Sequence, residues 1–146
     1  MMGRHVGKSQ YDVAAFATSY QQLHREALDC ERATRLAPKA KARKPYVTRC
    51  LEDAGDAVVA TSDNLKALPY LIAPWVPQGM TALGTDGFGR SETREALRDF
   101  FEVDHRYVTV AALERLARAG KIDRKVVVKA AKDLDIDAGK PDPTRT

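Results

Sequence analysis

The residues most suggestive of chemistry are Gly84, Gly87 and Gly89, in the run Gly84-Thr85-Asp86-Gly87-Phe88-Gly89, with Arg90 and Ser91 directly behind. Glycines between a strand and a helix can bring backbone N–H groups against a phosphate. Here the spacing is G-x-x-G-x-G, not G-x-G-x-x-G, and no Gly-Lys-Ser/Thr follows. Two readings stay open. Arg90 and Ser91 hold an anion at a helix start, or the glycines permit a tight reversal while Phe88 plugs into a neighbouring surface. The spacing favours the second. Gly84, Asp86, Gly87, Phe88, Gly89 and Arg90 are therefore expected to form a structural turn, not a ligand cradle.

Other reactive side chains are scattered. His5, His24 and His105 have no second histidine or carboxylate at helical ligand spacing, and Asp104 beside His105 reads more simply as a helix cap. A general base needs a partner and a pocket, and none of the three is placed to have both. No serine sits in a nucleophile elbow, and neither Cys30 nor Cys50 has an activating neighbour in sequence. Both cysteines are expected as buried reduced thiols. The carboxylate pairs Asp53 with Asp56 and Asp133 with Asp135 fall at element ends, where solvated charge is usual. No catalytic, cofactor-binding or metal-ligating residue is assigned.

The chain's 146 residues suffice for one domain with a core, and 44% apolar with 30% charged residues is ordinary for a globular protein. No apolar run approaches the ~18 residues of a membrane span. Met1-Met2-Gly3-Arg4-His5 is basic without an apolar segment behind it, unlike a signal peptide. A cytoplasmic location and no membrane partner are expected. The net charge is +4, with Lys39, Lys41, Arg43, Lys44 and Arg49 clustered. Such a run suits phosphates or a solvated connection. With only Tyr46 as an aromatic and no recognition helix after it, the connection is preferred over nucleic-acid binding.

These residues must be carried by alternating strands and helices. Tyr11–Ala17 has strand length, and Thr18 and Ser19 offer N-caps with Gln21 and Gln22 three residues later. Tyr20, Leu23, Ala27, Cys30 and Leu36 recur at helical intervals until Pro38. Pro45 fits the first turn of a short helix through Leu51. Ala57–Thr61 reads as a strand covered on both faces. A helix from Asn64 to Ile72 is expected, interrupted at Pro69, then a strand over Met80–Gly84. Ser91 is expected to cap a helix through Phe101, Asp104 a second ended by Gly120, and Asp123 a third. The spacing thus predicts an α/β fold, three-layered with a mostly parallel sheet. Residues 1–10 contain no apolar strand and are expected as a disordered tail or remnant. The domain is expected over 11–138, with a flexible tail over 139–146. A sheet of three strands with nothing before them looks incomplete at its N-terminal edge.

The stretch Leu-Gly-Thr-Asp-Gly-Phe-Gly-Arg-Ser-Glu-Thr-Arg-Glu-Ala-Leu-Arg-Asp-Phe-Phe-Glu-Val-Asp, residues 83–104, resembles the C-terminal domain of the homodimeric pyruvate dehydrogenase E1 component. Asp29-Cys30-Glu31-Arg32, Pro45-Tyr46-Val47, Ala60-Thr61-Ser62-Asp63 and Ala73-Pro74-Trp75-Val76-Pro77 resemble the same family. So do Val108–Leu116, Gly120-Lys121-Ile122-Asp123 and Asp135-Ile136-Asp137, and together the matches span roughly residues 11–140. Where the family usually has a Trp-Asn-X-Leu-His-Pro-like stretch, this chain reads Ala33-Thr34-Arg35-Leu36-Ala37-Pro38.

The resemblance implies a transketolase-like C-terminal domain, with a strand and helix preceding the element at Tyr11–Ala17. It implies a parent that decarboxylates pyruvate on thiamine diphosphate with magnesium and passes the acetyl unit to a lipoyl group on the E2 acyltransferase. The cofactor would lie on preceding domains, so none is expected here and the piece alone is expected to be inactive. Implied partners are the remaining E1 domains, a second copy in a dimer, and E2. The glycine-rich turn would then sit at an inter-domain or dimer contact. A stand-alone interaction or scaffold module that reuses the fold is the alternative.

Overall fold

A computed structural model of the chain describes residues 3–6, 13–17 and 19–145. They divide into two compact units, one built from Met1–Gly55 with Tyr70–Gly79, the other from Asp56–Pro69 with Met80–Thr146. Each is taken by itself.

The first unit opens with strand β1, Gly3–Val6, antiparallel to β2, Val13–Phe16, with Gly3 opposite Phe16 and Val6 opposite Val13. This corrects two expectations. Residues 1–10 do contain a strand, and the pairing at this end is antiparallel. Gly3-Arg4-His5-Val6 carries one apolar residue, so no alternation marks it; backbone hydrogen bonds to a partner define the strand instead. Helix α1, Tyr20–Leu36, starts where expected. Its Ser19 cap has extended backbone, and the hydroxyl accepts the N–H of Gln22 at 3.2 Å. Thr18, the other candidate cap, lies outside the described residues. Ala27 and Cys30, one turn apart, are the buried positions of α1. They belong to the side that packs on α2, Tyr46–Leu51, whose own buried residues are Val47 and Leu51. Pro45 is the residue just before α2, not its first turn. The expected Asn64–Ile72 helix is reduced to a single turn. Between Lys66 and Val76 the chain forms only a one-turn helix α3, Ala67–Tyr70, and a 3-10 turn, Ala73–Trp75. Pro69 and Pro74 lack the N–H that a continuous helix would use. The 3-10 turn is tied back by Thr48, whose hydroxyl donates to the Trp75 carbonyl at 2.7 Å.

In the second unit β3, Val59–Thr61, pairs parallel with β4, Thr81–Leu83, in the register Val59–Thr81, Ala60–Ala82, Thr61–Leu83. Helix α5, His105–Arg118, packs against both strands, and α6, Arg124–Asp133, packs on α5. Ahead of them α4 spans Arg94–Phe100. The class is α/β, as the alternation predicted, but the described pairing is one parallel and one antiparallel pair, not one mostly parallel sheet.

The helix ends are written locally. Asp104 accepts the N–H groups of Arg106 and Tyr107, and Asp123 accepts that of Lys125, so both expected caps are in place. Thr93, not Ser91, caps α4 by accepting the Ala96 N–H. The three helices stop in one way. A residue at φ +60° (Glu102), +71° (Gly120) or +53° (Asp135) follows each C-cap. The next N–H then reaches back along the helix: Val103 to Arg98, Lys121 to Leu116, Ile136 to Ala131. Only Gly120 takes the left-handed conformation without cost. Asp135→Gly is accordingly expected to raise stability by about 1 kcal/mol in urea unfolding; a lowered midpoint would show that the aspartate side chain compensates for its backbone.

A candidate functional site at the glycine-rich turn

β4 delivers Leu83 to a close approach of two chain segments. The Ser62 N–H donates to the Leu83 carbonyl at 3.0 Å, and the Thr85 N–H to that of Asn64 at 3.1 Å. The Thr85 hydroxyl donates to the Asp63 carbonyl at 2.7 Å. Gly84 is buried in this weave. A Cβ on it would stand 2.5 Å from the Asn64 oxygen and 2.9 Å from the Lys66 nitrogen, closer than real Cβ atoms come. Asp86 fastens the same segment from the other side. Its Oδ1 accepts the Lys66 N–H at 2.9 Å and its Oδ2 lies 3.2 Å from the Lys66 ammonium.

The second half of the turn meets the C-terminal segment. Gly87 has φ +106°, and a Cβ there would run into the backbone carbonyl of Pro143. Pro143 is buried and begins a 3-10 turn, Pro143–Arg145. The segment expected as a flexible tail is thus packed on the turn. Asp142 caps it, accepting the Thr144 N–H and hydroxyl at 2.9 and 2.7 Å, and these bonds hold its carboxyl below the usual range. Lys140 anchors it further, donating to the Asp99 carbonyl and to the Tyr107 hydroxyl, the latter at 3.2 Å. Neither residue was singled out from sequence; Lys140 owes its place to partners 33 and 41 residues away.

The sequence-predicted residues thus separate into two groups. Gly84, Asp86 and Gly87 are brought together as a structural turn. Phe88 is not plugged into anything among the described residues: it is 83% exposed. Gly89 is open, with nothing near a prospective Cβ. Arg90 folds back so that its guanidinium carbon sits 3.9 Å from the centre of the Phe100 ring. Beside the turn lies a cavity of about 740 Å³, lined by Thr61, Asp63, Thr85 and three arginines, Arg90, Arg94 and Arg98, among others. Arg94 and Arg98 were missed, although their four-residue spacing from Arg90 was readable.

Below the turn an ionic network fixes the start of α5. Arg106 donates to both Asp104, at 2.8 and 2.6 Å, and Asp99. Partial burial pushes the Asp104 carboxyl upward, but the Arg106 side chain, two backbone N–H groups and the arginine charge outweigh it, leaving the carboxyl below its ordinary value. A carboxyl depressed on folding contributes stability in full above its unfolded pKa, near about 4. That contribution is lost as pH falls through its lower folded value. Asp104→Ala is expected to cost about 1–2 kcal/mol at neutral pH and to flatten the acid limb of the stability profile; equal acid limbs in the two proteins refute the assignment.

The cysteines are free. Cys30 is buried, as expected, and Cys50 is only half-buried. Burial raises the Cys30 thiol first, its contact with the Glu26 carboxylate second, while Arg43 and Arg49 oppose them. Glu26 also accepts the Tyr46 N–H at 2.9 Å, so the thiol belongs to the joint between α1 and α2. Of the basic run, Lys44 pairs with Glu52 and Arg49 lies over the Tyr46 ring, local contacts that suit a connection. Among the described residues no group of three His, Cys, Asp or Glu side chains comes together that could hold a metal, and no helix is long and apolar enough to cross a membrane.

Residues 9–104 match the family model of the transketolase-like TK C-terminal domain. The chain is 46% identical over 125 residues to the pyruvate dehydrogenase E1 component of Cupriavidus necator, covering 86% of this chain and 14% of that protein. It is 45% identical over 139 residues to the pyruvate dehydrogenase E1 component of Escherichia coli K12, covering 94% and 15%. That of Mycolicibacterium smegmatis is 45% identical over 132 residues, covering 88% and 14%. The chain therefore spans about one-seventh of the length of these relatives.

Proposed function

The chain belongs to the transketolase-like C-terminal domain family, and on that premise we propose that it is the C-terminal part of a pyruvate dehydrogenase E1 component. The observation that carries this is identity of 45% over 94% of the chain to a protein of that name. The whole enzyme would act in the cytoplasm, decarboxylating pyruvate with thiamine diphosphate and magnesium and passing the acetyl unit to the lipoyl group of E2.

Among the described residues no donor set that fits that cofactor's metal comes together. A magnesium-bound diphosphate needs an oxygen-rich donor set, and the carboxylates here are dispersed or engaged in caps and ion pairs. In this reading the chemistry falls on other parts of the enzyme, and the chain contributes assembly. Gly84, Asp86 and Gly87 build a rigid turn that presents Phe88 to the remaining E1 domains or to a second copy in the dimer. A large aromatic on a stiff loop suits that role, because little side-chain or backbone freedom is lost on docking.

Native purification from the source cells tests this. Recovery of the sequence together with thiamine-diphosphate-binding domains, on one polypeptide or on a companion, is the expected result. Recovery alone, or with only unrelated proteins, overturns it and leaves a stand-alone interaction module.

A further inference from the structure

The assembly reading makes no use of the cavity beside the turn. Its size, about 740 Å³, is that of small-molecule sites in general. Its position is informative too. Thr61 ends β3, Ser62 and Asp63 follow it, and Thr85 lies just past the end of β4; all four line the cavity. The cavity thus opens at the carboxyl ends of two adjacent parallel strands. In open α/β sheets ligands bind on this side, outside the carboxyl ends of the strands.

Facing these strand ends are Arg90, Arg94 and Arg98. The four-residue step puts Arg94 and Arg98 on one face of α4. Arg90 is held over the Phe100 ring, its guanidinium carbon 3.9 Å from the ring centre. Among the described residues these three are not neutralised by ion pairs, whereas Arg106 and Arg118 are. Guanidinium groups so placed match the oxygens of a phosphate. Two carboxylates, Asp63 and Glu92, share the lining, so the cavity is mixed in charge. A bare polyanion would meet repulsion from them, while hydroxyl groups would find acceptors.

We propose that this cavity binds a small hydroxyl-bearing phosphate ester, its phosphate on Arg90, Arg94 and Arg98 and its hydroxyls on Asp63 and Glu92. This goes beyond the assembly reading and does not depend on it: Arg90 is shared with the turn, but Arg94, Arg98, Asp63 and Glu92 lie outside it.

Calorimetric titration of the full chain with glucose 6-phosphate tests it, with inorganic phosphate and glucose as comparators. Saturable binding of glucose 6-phosphate is expected, with inorganic phosphate weaker by about tenfold and glucose without saturation. The double variant Arg94→Gln/Arg98→Gln should weaken the ester about 100-fold, while Arg118→Gln, on α5 and paired with Glu114, should not change it. Unchanged thermal unfolding of the variants separates lost binding from lost fold, and if the double variant unfolds early, the single Arg94→Gln, expected about tenfold weaker, decides. No saturation by about 10 mM ester, or equal binding by the arginine variants, overturns the site. Inorganic phosphate binding as tightly as the ester overturns the assignment of the hydroxyl contacts.

Discussion

Gly84→Ala is expected to destabilise the second unit by about 3 kcal/mol. The new Cβ would lie 2.5 Å from the Asn64 oxygen and 2.9 Å from the Lys66 nitrogen. Both are backbone atoms, and neither is free to retreat. The Asn64 carbonyl accepts from Thr85, and the Lys66 N–H donates to Asp86. Relief of the clash therefore means stretching the bonds that hold the turn, or displacing β4 against β3. Gly89→Ala is the control: nothing lies near that position, and its cost should stay within about 0.5 kcal/mol. Urea unfolding of the two variants beside the parent chain decides the matter. Equal midpoints for all three would mean that the segments do not meet at Gly84.

Phe88→Asp is expected to behave in the opposite way, silent in the isolated chain and severe in the assembly. At 83% exposure the ring contributes almost nothing to the fold of the chain, so stability should change by less than about 0.5 kcal/mol. If the turn presents Phe88 to the rest of an E1 enzyme, a carboxylate at this position must either give up its water in an apolar pocket or hold the two surfaces apart. Central aromatics of interfaces lose about 2–4 kcal/mol on truncation, so affinity for the companion domains should fall about 100-fold. Sedimentation of chain and companion together measures it. Undiminished association by the variant would place the docking surface elsewhere on the chain and leave Phe88 without a role.

What could be read from sequence was what is decided within a few residues. Ser19, Asp104 and Asp123 cap their helices because a side-chain oxygen reaches N–H groups two or three positions ahead, whatever surrounds them. Gly120 stops α5 for an equally local reason. Ser91 was expected as the cap of α4, and Thr93, of similar chemistry two residues on, takes that role instead. Just before this helix Arg90 lies over Phe100, a contact across ten residues. Of the Asn64–Ile72 helix, expected with an interruption at Pro69, only the turn Ala67–Tyr70 around that proline forms. Gly3–Val6 carries almost no pattern and exists through its partner strand. At the site, the glycine spacing pointed to a tight turn, and Gly84 and Gly87 do stand where a Cβ would meet backbone. It could not reveal that Pro143 is what Gly87 must accommodate, or that strand ends and arginines enclose a cavity. Both depend on chain brought together from a distance.

The shared way in which α4, α5 and α6 end also bears on how fast the second unit acquires its shape. Each stop closes a loop of six residues or so, a step that takes on the order of tens of nanoseconds and needs no distant partner. The α5–α6 hairpin therefore has low contact order and can form early. The parallel pairing of β3 with β4, and the seating of Pro143 against Gly87, require far longer loops to close first. In refolding, helical signal should accordingly run ahead of protection at the glycine-rich turn. The segment that carries Phe88 is then the last to become rigid, after the helices of the unit are in place.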